Sequence, residues 1–183
     1  MDIFAAVETA IRQRDPETVL ALLFEPNSTR IRPGLTTETI LWDFKQGCPN
    51  PGKNPADQIG WSHIAADVLG FHNQRGGVLI FGIEDQSLKF CGTKARLDGK
   101  LFNDQIRRYL SDRIWVEFYR LLIQHDQSYL GMALIPPRGP LLERFANDSP
   151  TANKEFLLVG QRLGNEIQRN YLAKSPPMNW HEI

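Results

Sequence analysis

The chain predicts an α+β fold, a mixed β-sheet with helices packed on it plus an N-terminal helical appendage, on three observations. Helical and strand periodicities alternate along its length. Val78-Leu79-Ile80-Phe81-Gly82-Ile83 is a nearly continuous run of branched and aromatic residues, as expected of a central strand covered on both faces. Leu88-Lys89-Phe90-Cys91-Gly92, behind the turn residues Glu84 to Ser87, reads as the returning arm of a hairpin. A hairpin requires antiparallel pairing, which favours this class over a doubly wound parallel sheet.

Taking the elements in order, Ile3, Phe4, Val7 and Ile11 recur at helical spacing, as do Val19, Leu22 and Leu23 after the start signal Asp15-Pro16. The segment EPNSTRIRPGLTT, rich in Pro, Ser, Thr and Asn, marks a connector, and the appendage is expected to span residues 1–33. From Thr39 to Lys45 the pattern alternates, with Ile40, Trp42 and Phe44 on one face and Leu41, Asp43 and Lys45 on the other. QGCPNPGKNPADQIG reads as a long surface loop, and residues 62–73 as a helix that Ser62 could cap. A second amphipathic helix is expected over 99–111, with Phe102, Ile106, Tyr109 and Leu110 inward and Arg107 and Arg108 on its flank. Strands follow over 114–123 and 128–135, then a last strand at 155–162 and a short helix at 165–172. The main domain is thus drawn from 34 to 173, with 174–183 as a tail or linker.

Composition narrows the function classes. The 183 residues suffice for one domain with a core that buries roughly 70% of the unfolded chain's surface. Twenty-one basic residues balance 21 acidic ones, so no long-range positive field draws the chain to nucleic acid or a membrane, and any phosphate-binding surface must be local. Two cysteines, Cys48 and Cys91, make neither a disulfide framework nor a zinc motif, which fits a reducing compartment. The sequence shows no signal peptide and no apolar run of about 18 residues, so a cytoplasmic location without membrane partners is expected. His63, His72, His125 and His181 form no metal-binding or catalytic pattern.

The ordered set ETILWDFK, a helix ending GFHNQRGG, then VLIFGIED, an arm ending CGT, ALIPPRGPL and FLLVGQRLGN resembles the Schlafen-type AlbA-like domain family over roughly residues 36 to 172. Asp43-Phe44-Lys45, Asn73, Gly76-Gly77 and Gly82-Ile83-Glu84-Asp85 occupy the places of its Glu-Phe-Lys, Ala-Asn-x-x-Gly-Gly and Gly-Val-x-Asp motifs. Asp43 stands where the family usually carries Glu, and His72 where a small residue is usual. The resemblance implies a nucleic-acid-binding domain, for DNA or RNA, acting as a module of a regulatory or defence protein such as a transcriptional regulator. Some relatives cleave RNA with three carboxylates, which fall here on Glu38, Asp43 and Asp85. That implies an alternative: a metal-dependent endonuclease in which these three bind Mg²⁺ or Mn²⁺ and Lys45 steadies the phosphate. No cofactor is expected otherwise. A protein-interaction or homo-oligomerisation module is the third class that zero net charge leaves open.

Each feature also has an ordinary explanation. Glu38 and Asp43 are five residues apart, on opposite faces of a regular strand, so they meet only if the chain bends before Thr39 or a bulge rephases it. Asp at a strand end is favoured by turn chemistry alone, and Lys45 could be a solvated charge or an exposed partner of Asp43. Gly76-Gly77 lacks a nucleotide-loop context and suits a tight helix-to-strand turn. Arg75, Arg107, Arg108 and Arg162, with Lys45, are the candidates for a local phosphate-binding surface, since guanidinium groups pair with phosphate oxygens bidentately.

Overall fold

The computed structural model describes residues 2–139 apart from 38, 53, 85, 86 and 125. The expected strand at 155–162 and helix at 165–172, together with Arg162, Glu38 and Asp85, lie outside the described residues. Two short helices open the chain, α1 (Ile3–Gln13) and α2 (Pro16–Leu23), each started by an aspartate whose carboxylate accepts first-turn N–H groups. They are followed by β1 (Trp42–Lys45), α3 (Pro55–His72), β2 (Gly77–Phe81), α4 (Gly99–Ile106), β3 (Glu117–Leu121) and β4 (Leu130–Ile135).

The four strands form one mixed sheet in the order β1-β2-β4-β3. β1 and β2 are parallel, with α3 as their crossover, and the β2–β4 and β4–β3 pairs are antiparallel. Register fixes which side chains share a face. Trp42, Val78 and Leu134 form one cross-strand row, and Phe44, Ile80 and Met132 the next; these pack against Val7, Ile11, Val19 and Leu23 of α1 and α2. Leu79, Ala133 and Phe118 point the other way, into a core with Val68 and Phe71 of α3 and Phe102 and Ile106 of α4. The N-terminal helices therefore pack on one face of the sheet.

Several elements differ from their sequence expectation. β1 begins at Trp42 rather than Thr39, because the Thr39 hydroxyl accepts the N–H groups of Leu41 (3.0 Å) and Trp42 (3.1 Å) and turns the chain. α3 starts seven residues before Ser62: Asn54 caps it and Pro55 sits at its first position, where a missing N–H costs nothing. Ser62 is instead buried, its hydroxyl donating to Ile59 O at 2.8 Å. α4 ends at Ile106, although Tyr109 and Leu110 still bury in the turns beyond. Residues 88–92 do return beside β2, but through the single bridge Ile83↔Phe90; the antiparallel neighbour of β2 is β4.

The turn from α3 into β2 is held by close packing. A Cβ on Gly77 would lie 2.1 Å from the Phe71 ring, and Gly76 has φ +82 with Ile135 O 2.7 Å from where its Cβ would stand. His72 is buried there: its Nδ1 lies 2.8 Å from Pro136 O, and its own carbonyl accepts Arg138 N–H at 2.7 Å. Among the described residues no helix is long and apolar enough to cross a membrane.

Candidate functional site

Asp43 and Lys45 are two apart on β1 and project from the same face, the one that α3 covers. α3 answers with an acid: Lys45 Nζ lies 2.9 Å from Asp43 Oδ2 and 2.9 Å from Asp67 Oδ2. The Asp43 side chain is wholly buried and that of Asp67 4% exposed, whereas Lys45 keeps 27% of its side chain in contact with solvent. Burial opposes the Lys45 charge, but the Asp67 and Asp43 carboxylates outweigh it and hold its pKa above the usual value. The ammonium is therefore a fixed counter-charge shared by two buried acids.

Asp67 escaped the sequence reading. Its signal was an acid set among Ile64, Ala65, Val68, Leu69 and Phe71 on a helix that buries all five; such an acid needs a cation within reach. The other two candidate carboxylates, Glu38 and Asp85, are not among the described residues, but the chain beside each is. The chain turns at 39–42, closed by Thr39 N–H to Trp42 O at 3.0 Å, directly before β1. On the other side, Lys45 O accepts the N–H groups of Gly82 (2.8 Å) and Ile83 (3.1 Å), so the chain toward residue 85 leaves β2 beside the end of β1. Among the described residues no three His, Cys, Asp or Glu side chains gather as a metal site. Burial pushes the Cys48 thiol well above its usual pKa, which disfavours Cys48 as a thiolate nucleophile.

Among the described residues, the candidate arginines Arg75, Arg107 and Arg108 have separate surroundings. Arg75 precedes β2, at the end of that strand opposite the residue paired with Lys45, and lies 3.6 Å from Glu8 of α1. Arg107 stands over the Trp115 ring at 5.3 Å and 3.6 Å from Asp112, while Arg108 donates to Gly52 O at 2.8 Å.

Basic side chains gather instead where no sequence motif pointed. Residues 93–97 run extended beside the start of β4, Thr93 pairing with Tyr129, so that Thr93, Ala95 and Leu97 bury while Lys94 and Arg96 face solvent. Arg120 of β3 joins them with its guanidinium 4.9 Å from the Tyr129 ring centroid, and Tyr129 is fixed by its hydroxyl donating to Ala95 O. Together with Asp126 and Gln127 they line a cleft of about 520 Å³. Burial, with Cys48 nearby, pushes the Tyr129 hydroxyl up to about 12, against the opposing pull of Arg120, so it remains a neutral hydrogen-bond donor.

No curated protein matches the chain. A solved structure, the DIP2311 protein from Corynebacterium diphtheriae, is similar at 17% identity and a TM-score of 0.44, over 78% of this chain and 24% of its own, so the present chain spans about a quarter of that protein. The model of the family described as Schlafen, AlbA_2 matches residues 38–151, from just before the turn into β1 to beyond β4. The chain belongs to the Schlafen AlbA_2 family.

Proposed function

We propose that the protein is a nucleic-acid-binding module. The observation that carries this reading is family membership over residues 38–151, which takes in the whole sheet and both helices on its α3–α4 face. With zero net charge, binding has to come from a local basic surface and will weaken steeply as salt rises. The test is gel retardation of single-stranded RNA, transfer RNA and duplex DNA by the full chain across a salt series. Retardation at low salt that fades with added salt is expected; no retardation of any of the three at low salt overturns the reading.

A metal-dependent endonuclease is the second reading, favoured by one observation: the motif acid Asp43 is buried beside a further carboxylate, Asp67. Hard oxygen donors of this kind suit Mg²⁺ or Mn²⁺, with Glu38 and Asp85 completing the set that family relatives use. The metal would supply charge neutralisation at phosphorus and an activated water. Asp43 would then divide its two oxygens between metal and Lys45, whose ammonium keeps the carboxylate oriented. Cleavage of RNA in Mn²⁺ that is lost in Asp85→Asn, with folding unchanged by circular dichroism, would support it. Intact RNA and DNA under Mg²⁺ and Mn²⁺ would exclude it.

A further inference from the structure

We propose that the cleft between residues 94–96 and the β3–β4 tip is the phosphate-binding site of this protein, and that it takes one phosphorylated nucleotide unit, of a single strand or free in solution. The proposal deepens the nucleic-acid reading by giving it a contact surface. It places that surface away from Arg75, Arg107 and Arg108.

Three observations converge on it. First, Lys94, Arg96 and Arg120 come from separate parts of the chain, and the Thr93↔Tyr129 bridge sets the first two beside the third. Within a neutral chain, three cations stand against one carboxylate, Asp126, which lies 3.2 Å from Lys94 Nζ. Second, the cations are available. Among the described residues neither Arg96 nor Arg120 makes an ion pair, whereas Arg12, Arg14, Arg30, Arg75 and Arg107 each face an acid. Third, the concavity of about 520 Å³ falls in the range of small-ligand sites and has a fixed wall, the buried Tyr129 that carries Arg120 on its ring. A guanidinium held in this way can meet a phosphate through its N–H edge or stack on a base through its face. Asp126 is highly exposed, so an incoming phosphate can take its place on Lys94.

The test is fluorescence anisotropy of a labelled mixed-sequence 12-nucleotide single strand, with calorimetric titration of AMP and ADP as the second arm. Full-length wild type is compared with Lys94→Gln/Arg96→Gln/Arg120→Gln and with a charge-matched control, Arg12→Gln/Arg14→Gln/Arg30→Gln, on the α1–α2 side. The cleft variant is expected to lose at least about tenfold in affinity, and its salt slope to fall by about 0.7, the value for one lost phosphate contact on a single strand. The control should change by less than about threefold, a level set by screened long-range charge. Equal losses in both variants overturn the proposal, as does unchanged strand binding in the cleft variant; either way the nucleic-acid reading stands. If wild type ignores every strand but binds AMP or ADP through these residues, the cleft stands, its ligand is a free nucleotide, and the nucleic-acid reading falls. Binding of neither overturns both.

Discussion

Lys45 and Arg120 occupy one cross-strand row, Lys45↔Phe81↔Gly131↔Arg120, at the two edges of the sheet and on the same face. Three strand spacings, about 14 Å, separate their backbones. The first is a motif residue closed in by two buried carboxylates; the second belongs to no motif and rests on a tyrosine ring beside a cleft. What differs is availability. A phosphate approaching Lys45 meets an ammonium outnumbered by the acids it already serves, while a phosphate approaching Arg120 meets cations with one exposed competitor. Residue type in the sequence says that both can bind an anion, and the partners decide which one can.

The sharpest way to break that contrast is Lys45→Ala. Removing the shared ammonium leaves two carboxylates in a buried site, and the expected cost is about 3 kcal/mol of stability, read from urea unfolding. Strand affinity of the folded variant should stay within about twofold, because a charge this well neutralised adds little to the external field. A large loss of affinity at unchanged stability would invert the assignment of the two ends. The pH dependence follows from the sign of the shift. The folded pKa of Lys45 lies above its ordinary 10.5, so its stabilisation is fully present below 10.5 and disappears as pH rises through the higher folded value. Wild type should therefore lose an alkaline component of stability that Lys45→Ala lacks.

The cleft should answer in the opposite sense. Lys94, Arg96 and Arg120 are solvent-exposed, so Lys94→Gln/Arg96→Gln/Arg120→Gln is expected to unfold within about 1 kcal/mol of wild type while its strand binding drops. A variant that loses both binding and stability would show that these side chains brace the β3–β4 tip.

The two ends also differ in how far the sequence disclosed them. β2 was legible because a strand buried on both faces must be apolar throughout, α1 because Ile3, Phe4, Val7 and Ile11 recur at helical spacing, and α2 because Asp15-Pro16 marks its start. Pro55 misled: proline signals a loop in most places, yet at the first helical position it opens a helix, and only the Asn54 cap distinguishes the two. The Asp43–Lys45 pair was readable as two residues of one strand face, but its partner Asp67 lies 22 positions beyond Lys45, on an element whose orientation the sequence does not state. The cleft was less legible still. Lys94 and Arg96 come from an extended segment outside every named strand, and nothing local says that they face Arg120 across a single bridge.

The smallest expected effect lies within the cleft, at its own acid. Ser128 donates both its N–H and its hydroxyl to Asp126, and Lys94 adds a third contact; these hold the Asp126 carboxyl down at about 2. Its contribution to the tip is therefore present above the ordinary value of 3.8 and is lost only as pH falls through about 2, so Asp126 stays charged across any pH at which binding would be measured. Asp126→Asn keeps an acceptor for Ser128 and removes the charge that competes for Lys94. Strand affinity should rise about two- to threefold at low salt, the scale of one exposed ion pair, and the gain should shrink as salt is added. An unchanged affinity would mean that Lys94 does not reach the phosphate, and would narrow the site to Arg96 and Arg120.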